Sequence, residues 1–163
     1  RLGVGHLHLI DFDRVDVTNL NRQQYFADQV GMPKTEALRE NLLRINPWLD
    51  LRTDCLRVTE ENAAGLLRDD TYICESFDVA EQKAMLVRTV LEQLPEKYLV
   101  AASGMAGYGD GNEIHTRRVA SRFYLCGDEK TEAAAGRGLM APRVALCAAH
   151  QANMVLRLIL GES

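Results

Sequence analysis

Cysteine is scarce in this sequence, and its placement argues against a disulfide framework. Only four of the 163 residues are cysteine, Cys55, Cys74, Cys126 and Cys147, and no two of them form a C-x-x-C pair. Secreted disulfide scaffolds carry more cysteines in shorter chains. We therefore expect reduced thiols and a cytoplasmic protein.

Long hydrophobic runs and an excess of positive charge are also lacking. No apolar run approaches the about 18 residues of a membrane-spanning helix, so no membrane partner is expected. The chain has 19 basic and 23 acidic side chains, a formal net charge of −4, which disfavours nucleic acid as a partner. The hydrophobic content of 47% is typical of a globular protein. The length fits a single domain over residues 1–163.

The apolar residues that are present alternate between strand and helix patterns. Short apolar runs predict strands at residues 6–10, 51–58, 72–76, 98–102, 113–119 and 122–126. Helical periodicity and end signals predict helices at residues 33–45, 59–67, 80–94 and 142–160. This order predicts an α/β fold with a largely parallel sheet, antiparallel strands in the C-terminal part, and helices on both faces.

A long polar segment separates the first strand from the first helix. Residues 11–32 show no regular period, and connections of this length are usually functional or disordered. Asp11 directly follows the first strand, and Asp78 follows the third. Ligands of such sheets bind beyond the carboxyl ends of the strands. We therefore expect the functional site at these two strand ends.

The polar segment belongs to a series of motifs. Residues 11–23 read D-F-D-R-V-D-V-T-N-L-N-R-Q and follow G-V-G-H-L at 3–7; V-G-M-P-K, I-N-P and S-F-D come later, at 30–34, 45–47 and 76–78. In this order the motifs resemble those of the ThiF/MoeB/ubiquitin-activating superfamily, over nearly the whole chain. G-L-M-A-P-R at 138–143 and H-Q-A-N at 150–153 resemble its short, zinc-free ThiF-like branch. The C-x-x-C pairs that hold zinc in other members are absent here, so no zinc site is expected.

The resemblance implies a Rossmann-like ATP-binding fold and an adenylyltransferase activity. ATP and Mg²⁺ would activate the carboxyl-terminal glycine of a ubiquitin-like, ThiS-like sulfur carrier for thiamine thiazole biosynthesis, giving an acyl-adenylate and pyrophosphate. A homodimer is also implied. Three alternatives stay open: a molybdopterin-synthase type of carrier, a small carboxylate such as a modified tRNA base, and a non-catalytic scaffold subunit.

The resemblance also implies roles for individual residues. The candidate nucleotide-binding residues are Asp11, Asp13, Asn19, Arg22, Gln23 and Lys34. Among them Asp11 would accept hydrogen bonds from ribose hydroxyls. Asp13 and Asp78 would hold Mg²⁺ through ATP, since this ion prefers a few carboxylates together with phosphate oxygens. Arg22, Lys34 and Asp78 are the candidate catalytic residues, because clamps of this kind stabilise the charge of the departing pyrophosphate.

Two features depart from the family pattern. The family's phosphate-binding G-x-G-G-x-G loop precedes the segment at which this chain starts, and residues 1–5 are typical of a helix end, so we expect an N-terminally truncated chain. Val79 stands where asparagine is common. Both features favour the scaffold alternative, whereas the intact motif residues oppose it.

Several residues also have a purely structural interpretation. Asp78 could cap the helix at 80–94. Gly109-Asp110-Gly111 favours a hairpin turn over a phosphate loop, because a strand is predicted after it. A buried strand-end thiol is favoured over a reactive one at Cys126. An alanine-rich face of the last helix, with Ala145 and Ala149, could pack on its own sheet or on a second copy.

Overall fold

The computed structural model describes residues 3–162, and its strands and helices follow the predicted order. The strands are β1 His6–Ile10, β2 Asp50–Asp54, β3 Tyr72–Cys74, β4 Tyr98–Ala102, β5 His115–Ala120 and β6 Phe123–Gly127. The helices are α1 Lys34–Ile45, α2 Ala63–Leu66, α3 Ala80–Gln93 and α4 Ala141–Ile159. Two compact units divide the chain, one ending at Val58 and the other beginning at Thr59.

The first unit pairs β1 with β2 in parallel, from His6 opposite Asp50 to Ile10 opposite Asp54. Helix α1 connects the two strands, as a parallel pair requires. It begins after Pro33, whose φ of −55° suits a helix start, and ends at Asn46. Strand β2 stops at Asp54, four residues before the end predicted from the sequence.

The second unit contains a sheet of four strands in the order β3-β4-β6-β5. β3, β4 and β6 are parallel, and β5 is antiparallel to β6. Val100 belongs to a buried cluster with Cys147 and Met154 of α4. Leu99, its neighbour on the opposite face, lines a cavity with Val90 of α3. The predicted α/β class, with helices on both faces of this sheet, is confirmed.

Helix α4 buries a different face from the one expected. Its buried residues are Arg143, Cys147, Gln151, Met154 and Leu158, whereas Ala145 and Ala149 are exposed. The interpretation that these two alanines pack on the chain's own sheet is therefore wrong. Two polar side chains are buried instead because each has a buried partner: Arg143 pairs with Asp128, and Gln151 donates to Glu75 O. Packing of the alanines on a second copy stays a prediction.

Helix α2 begins later than the sequence predicts, for a local reason. Asn62 Oδ1 accepts a hydrogen bond from the backbone N of Thr59 at 2.8 Å. This bond closes a turn over residues 59–62, and α2 begins after it, at Ala63.

Three further expectations concern the chain as a whole. The helix end expected at residues 1–5 includes Arg1 and Leu2, which lie outside the described residues. Among residues 3–162, no helix has both the length and the apolar character needed to cross a bilayer. The single domain over residues 1–163 stays a prediction.

Candidate functional site

Two carboxylates and an ammonium group meet at the carboxyl end of β1. Asp11 follows the strand directly, and its Oδ1 accepts a hydrogen bond from the backbone N of Asp13 at 2.8 Å. Lys34 Nζ lies 2.7 Å from Asp13 Oδ2 and 3.9 Å from Asp11 Oδ2. The lysine side chain is only 11% exposed, whereas the two aspartate side chains are 37% and 48% exposed. The structure therefore brings three of the candidate residues into one ionic cluster.

Backbone pairing delivers Lys34 to this cluster. Buried Val15 donates its N–H to Met32 O and accepts from the N–H of Gly31, both at 2.8 Å. Lys34 in turn donates its backbone N–H to Asp13 O at 2.9 Å. Gly31 has a φ of +90°, which a side chain would strain. The lysine is thus fixed at the first residue of α1, where the positive end of the helix dipole favours anions.

A capped turn holds Asn19 in the same loop. Asp16 Oδ1 accepts hydrogen bonds from the N–H and the hydroxyl of Thr18 at 2.8 and 2.7 Å, and these bonds lower the pKa of Asp16. Asn19 Oδ1 accepts from the backbone N of Asp16 at 2.9 Å. Because the carbonyl oxygen of Asn19 is engaged, its amide NH₂ is the group left to donate to a ligand.

Arg22 and Gln23 follow this turn and are half-buried. Arg22 Nη1 donates to Thr18 O at 3.0 Å and to Asn21 Oδ1 at 2.8 Å, which orients the guanidinium. Gln23 donates its backbone N–H to Asn19 O at 2.8 Å. Their positions are thus set by the turn, and the planar fork of Arg22 retains further donors for an anion.

Three residues of this unit were missed in the sequence. Buried Gln29 and Asn41 exchange two side-chain amide hydrogen bonds of 3.0 Å, which fasten the long polar segment to α1. Burial, with the nearby charges of Asp11 and Asp13, raises the pKa of Tyr25 to about 12. A tyrosine phenol is protonated near neutral pH, so it can donate a hydrogen bond. Hydrophobic periodicity does not identify these residues, because their polar contacts form only when the loop folds against α1.

Asp78 lies in the second unit, after β3, and its side chain is exposed. The prediction that it caps α3 is wrong: the N-cap residue is Val79, and no side chain makes the capping hydrogen bond. A carboxylate that is exposed and not used as a cap can bind a ligand instead. Asp13 belongs to the first unit, and a metal ion shared between Asp13 and Asp78 stays a prediction.

Metal binding by protein side chains alone is limited. Within residues 3–162, no group of three or more His, Cys, Asp or Glu side chains is placed to hold a metal ion. Taken singly, the exposed carboxylates of Asp13 and of Asp78 are each the kind of ligand that Mg²⁺ combines with phosphate and water.

The glycine-rich segment after β4 packs against its own chain. Gly104 has a φ of +78°, and a Cβ there would lie 2.0 Å from Asp128 Oδ1. The close approach that this glycine permits is therefore to residue 128. The predicted hairpin at Gly109-Asp110-Gly111 is wrong, because Asp110 caps a short 3₁₀ turn over Gly111–Glu113. The hairpin of this region joins β5 and β6 instead.

Cys126 is fully buried in β6, and burial raises its pKa. Its Sγ lies 3.4 Å from Thr116 Oγ1. Burial also raises the pKa of neighbouring Cys147 to about 12. A thiol that is neutral and inaccessible reacts slowly, so the structural interpretation of Cys126 is the one that the geometry favours.

We expect iodoacetamide near neutral pH to alkylate the exposed Cys55 in the native protein and to leave Cys126 and Cys147 unmodified. Peptide mass spectrometry before and after denaturation measures this difference. Native alkylation of Cys126 at the rate of Cys55 would contradict the burial argument and favour a reactive thiol at this position.

The chain matches one protein-family model along its whole length. The model describes the ThiF family and covers residues 1–163. Molybdopterin-synthase adenylyltransferase of Escherichia coli is 30% identical over 169 residues, spanning 98% of this chain and 65% of that protein. Sulfur carrier protein adenylyltransferase of Thermus thermophilus is 35% identical over 77 residues, 47% of this chain and 28% of that protein. The chain thus spans less than two thirds of the length of these curated relatives.

A solved structure supports the fold. The chain is similar to E. coli tRNA N6-threonylcarbamoyladenosine dehydratase, crystallised in complex with ATP, with a TM-score of 0.87 and 22% identity. The similarity covers 98% of this chain and 77% of that one. At this identity it establishes a shared Rossmann-like architecture.

Proposed function

Because this chain belongs to the ThiF family, we propose that it is an ATP-dependent adenylyltransferase that activates a carboxylate as its acyl-adenylate. The observation that carries the proposal is the cluster of Lys34 with Asp13 and Asp11 at the end of β1, at 2.7 and 3.9 Å. The lysine ammonium supplies a positive charge for the phosphates, and the exposed carboxylates beside it supply ligands for the magnesium ion and the ribose.

Each side chain has a role that its geometry supports. The backbone N of Asp13 donates to Oδ1 of Asp11, so Oδ2 would accept hydrogen bonds from the ribose hydroxyls. Lys34, Arg22 and the amide of Asn19 would stabilise phosphate charge, with Gln23 beside them. Asp13 and Asp78 would contact Mg²⁺, which supplies charge neutralisation when it is bound with ATP. No side-chain nucleophile is needed, because the substrate carboxylate attacks the α-phosphorus and pyrophosphate leaves.

For the substrate we propose the carboxyl-terminal glycine of a ubiquitin-like sulfur carrier. Relatives named for adenylylation of sulfur carriers and of molybdopterin synthase support this class equally. The ThiS-like carrier of thiamine thiazole synthesis is our preferred member, because of the motifs at 138–143 and 150–153. We further propose a cytoplasmic homodimer with residues 1–163 as one adenylation domain.

A second candidate is activation of a small carboxylate on a modified tRNA base. The tRNA threonylcarbamoyladenosine dehydratase of E. coli supports it, being 32% identical over 123 residues, 74% of this chain and 45% of that protein. The formal net charge of −4 weighs against a large RNA partner.

The test is intact-mass spectrometry of purified carriers incubated with the whole protein and Mg-ATP. We expect a ThiS-like carrier to gain one adenylyl group, and to gain none when its terminal glycine is deleted or when EDTA is present. If only a molybdopterin-synthase carrier is adenylylated, that carrier is the partner and the ThiS-like assignment is wrong. Bound ATP with both carriers unmodified would favour the tRNA substrate, and absence of ATP binding would favour the scaffold subunit.

A further inference from the structure

A buried carboxylate lies at the end of β3, three residues before Asp78. Glu75 is only 1% exposed as a residue, which is rare for glutamate unless the charge is paired. Its partner is Lys83 in the first turns of α3, whose Nζ lies 2.7 Å from Oε1 and 2.6 Å from Oε2. The lysine nitrogen contacts both oxygens of one carboxylate, so the pair is compact.

The remaining contacts of Glu75 join three elements. Its Oε1 also accepts from the backbone N of Phe77 at 2.6 Å, and its Oε2 accepts from that of Ala102, at the end of β4, at 3.4 Å. Its own backbone N donates to Val100 O at 2.9 Å. Gln151 of α4 donates to its backbone O at 2.8 Å. One residue thereby fixes the end of β3 against β4, α3 and α4.

These contacts bracket the position of Asp78. The bond to Phe77 fixes the residue just before it, and Lys83 fixes the helix turn just after it. Lys83 is itself tied to the loop end, because its backbone N donates to Val79 O at 3.0 Å. Asp78 is exposed, and α3 does not use it as a cap. The backbone on either side of Asp78 is therefore held by these contacts.

Stability alone does not explain the placement of such a pair. A buried ion pair is often no more stabilising than apolar side chains of the same size, because both charges lose their hydration. A carboxylate with hydrogen bonds to both oxygens instead fixes the positions of the groups that donate to it. Because the charges of Glu75 and Lys83 cancel, the pair holds the backbone near Asp78 without adding a net charge that would repel its carboxylate.

We propose that Glu75 and Lys83 are positioning residues that hold the backbone of residues 76–79, and with it the Asp78 carboxylate, in the position from which Asp78 would contact Mg²⁺. This inference rests on the proposed function for the role of Asp78. It concerns the chain's own loop, however, and has a readout that needs no nucleotide.

The first experiment is amide hydrogen–deuterium exchange of the whole protein without nucleotide. Glu75→Gln removes the charge that holds Lys83, and we expect exchange of the Phe77 amide, measured in peptides covering residues 76–79, to rise at least about tenfold. The matched control is Glu129→Gln, which breaks the exposed pair with Arg117, and we expect no change at residues 76–79. Unchanged exchange at 76–79 in a folded Glu75→Gln protein overturns the proposal.

The second experiment separates positioning from folding. In the carrier adenylylation assay, we expect Glu75→Gln and Lys83→Met each to lower kcat and raise the half-saturating Mg²⁺ concentration by about 10- to 100-fold. KM for ATP should stay within about threefold, and Lys83→Arg should recover most of kcat. Parallel rises in KM for ATP and losses of Tm, with no change in Mg²⁺ dependence, would identify a merely structural pair.

The two proposals fail differently. If the wild-type protein adenylylates no substrate, the proposed function fails, whereas the exchange measurement still decides whether the pair holds the loop. If Glu75→Gln does not fold, Lys83→Met and Lys83→Arg carry the same exchange comparison, since the lysine side chain is partly exposed at 23%. Unchanged amide exchange at residues 76–79 in a folded Lys83→Met protein likewise overturns the inference.

Discussion

We expect Asp78→Asn to abolish acyl-adenylate formation while leaving the fold intact. The carboxylate is exposed after β3 and caps no helix, so its replacement removes no buried contact. Loss of one preorganised electrostatic group at a phosphoryl site lowers kcat by at least about 100-fold. The measurement is the rate of carrier adenylylation, with circular dichroism and Tm to report the fold.

The matched control is Asp69→Asn, because Asp69 is an exposed aspartate of the same unit that lies outside the motifs. It should keep both the wild-type rate and the wild-type Tm. Retained turnover in Asp78→Asn, at more than about a tenth of the wild-type rate, would remove Asp78 from the metal role.

The largest loss of stability is expected from Asp128→Asn. Asp128 and Arg143 form an ion pair whose side chains are 2% and 3% exposed. Burial opposes ionisation of Asp128, but hydrogen bonds from Thr131 and Lys130 and the charge of Arg143 hold its pKa below the usual range. Breaking such a pair leaves a buried guanidinium without its counter-charge and costs about 3–5 kcal/mol in the free energy of unfolding.

The cost should depend on pH in a defined direction. A carboxyl whose pKa is lowered by folding stabilises the native state above its unfolded pKa, and that contribution is lost as the pH falls through the lowered value. Denaturant unfolding should therefore show the full difference between wild type and Asp128→Asn near neutral pH, and a smaller one in acid.

Glu129→Gln is the control for this prediction as well. Glu129 also pairs with an arginine, Arg117, at 2.6 Å, but that arginine is exposed, and exposed pairs are screened by solvent. We expect little change in its unfolding free energy. Equal losses in the two variants would mean that burial of the Asp128 pair contributes nothing.

Local sequence patterns predicted the elements of this fold. The strand at residues 98–102 and the helix at 80–94 agree with β4 and with α3 to within one residue, because periodicity and end signals are properties of neighbouring residues. The cluster of Asp11, Asp13 and Lys34 could also be expected, since the motif residues follow a strand end and open a helix. Their catalytic roles stay proposals.

The buried face of α4 could not be predicted from the sequence. Alanines at helical spacing favoured one face, whereas the structure buries the face with Arg143 and Gln151. Gln151 is buried because it donates to Glu75 O, 76 residues away, and Arg143 because it pairs with Asp128. Periodicity counts apolar side chains, and it contains no information about distant polar partners.

The sequence by itself therefore determined the order of strands and helices, the family and the carboxylates at the strand ends. The tertiary structure alone decided which polar groups are buried: Glu75 beneath the loop of Asp78, and Asp128 beside Gly104. The physical reason is that burying a charge is unfavourable unless hydrogen bonds and a counter-charge meet it. Those partners come together only when the chain has folded.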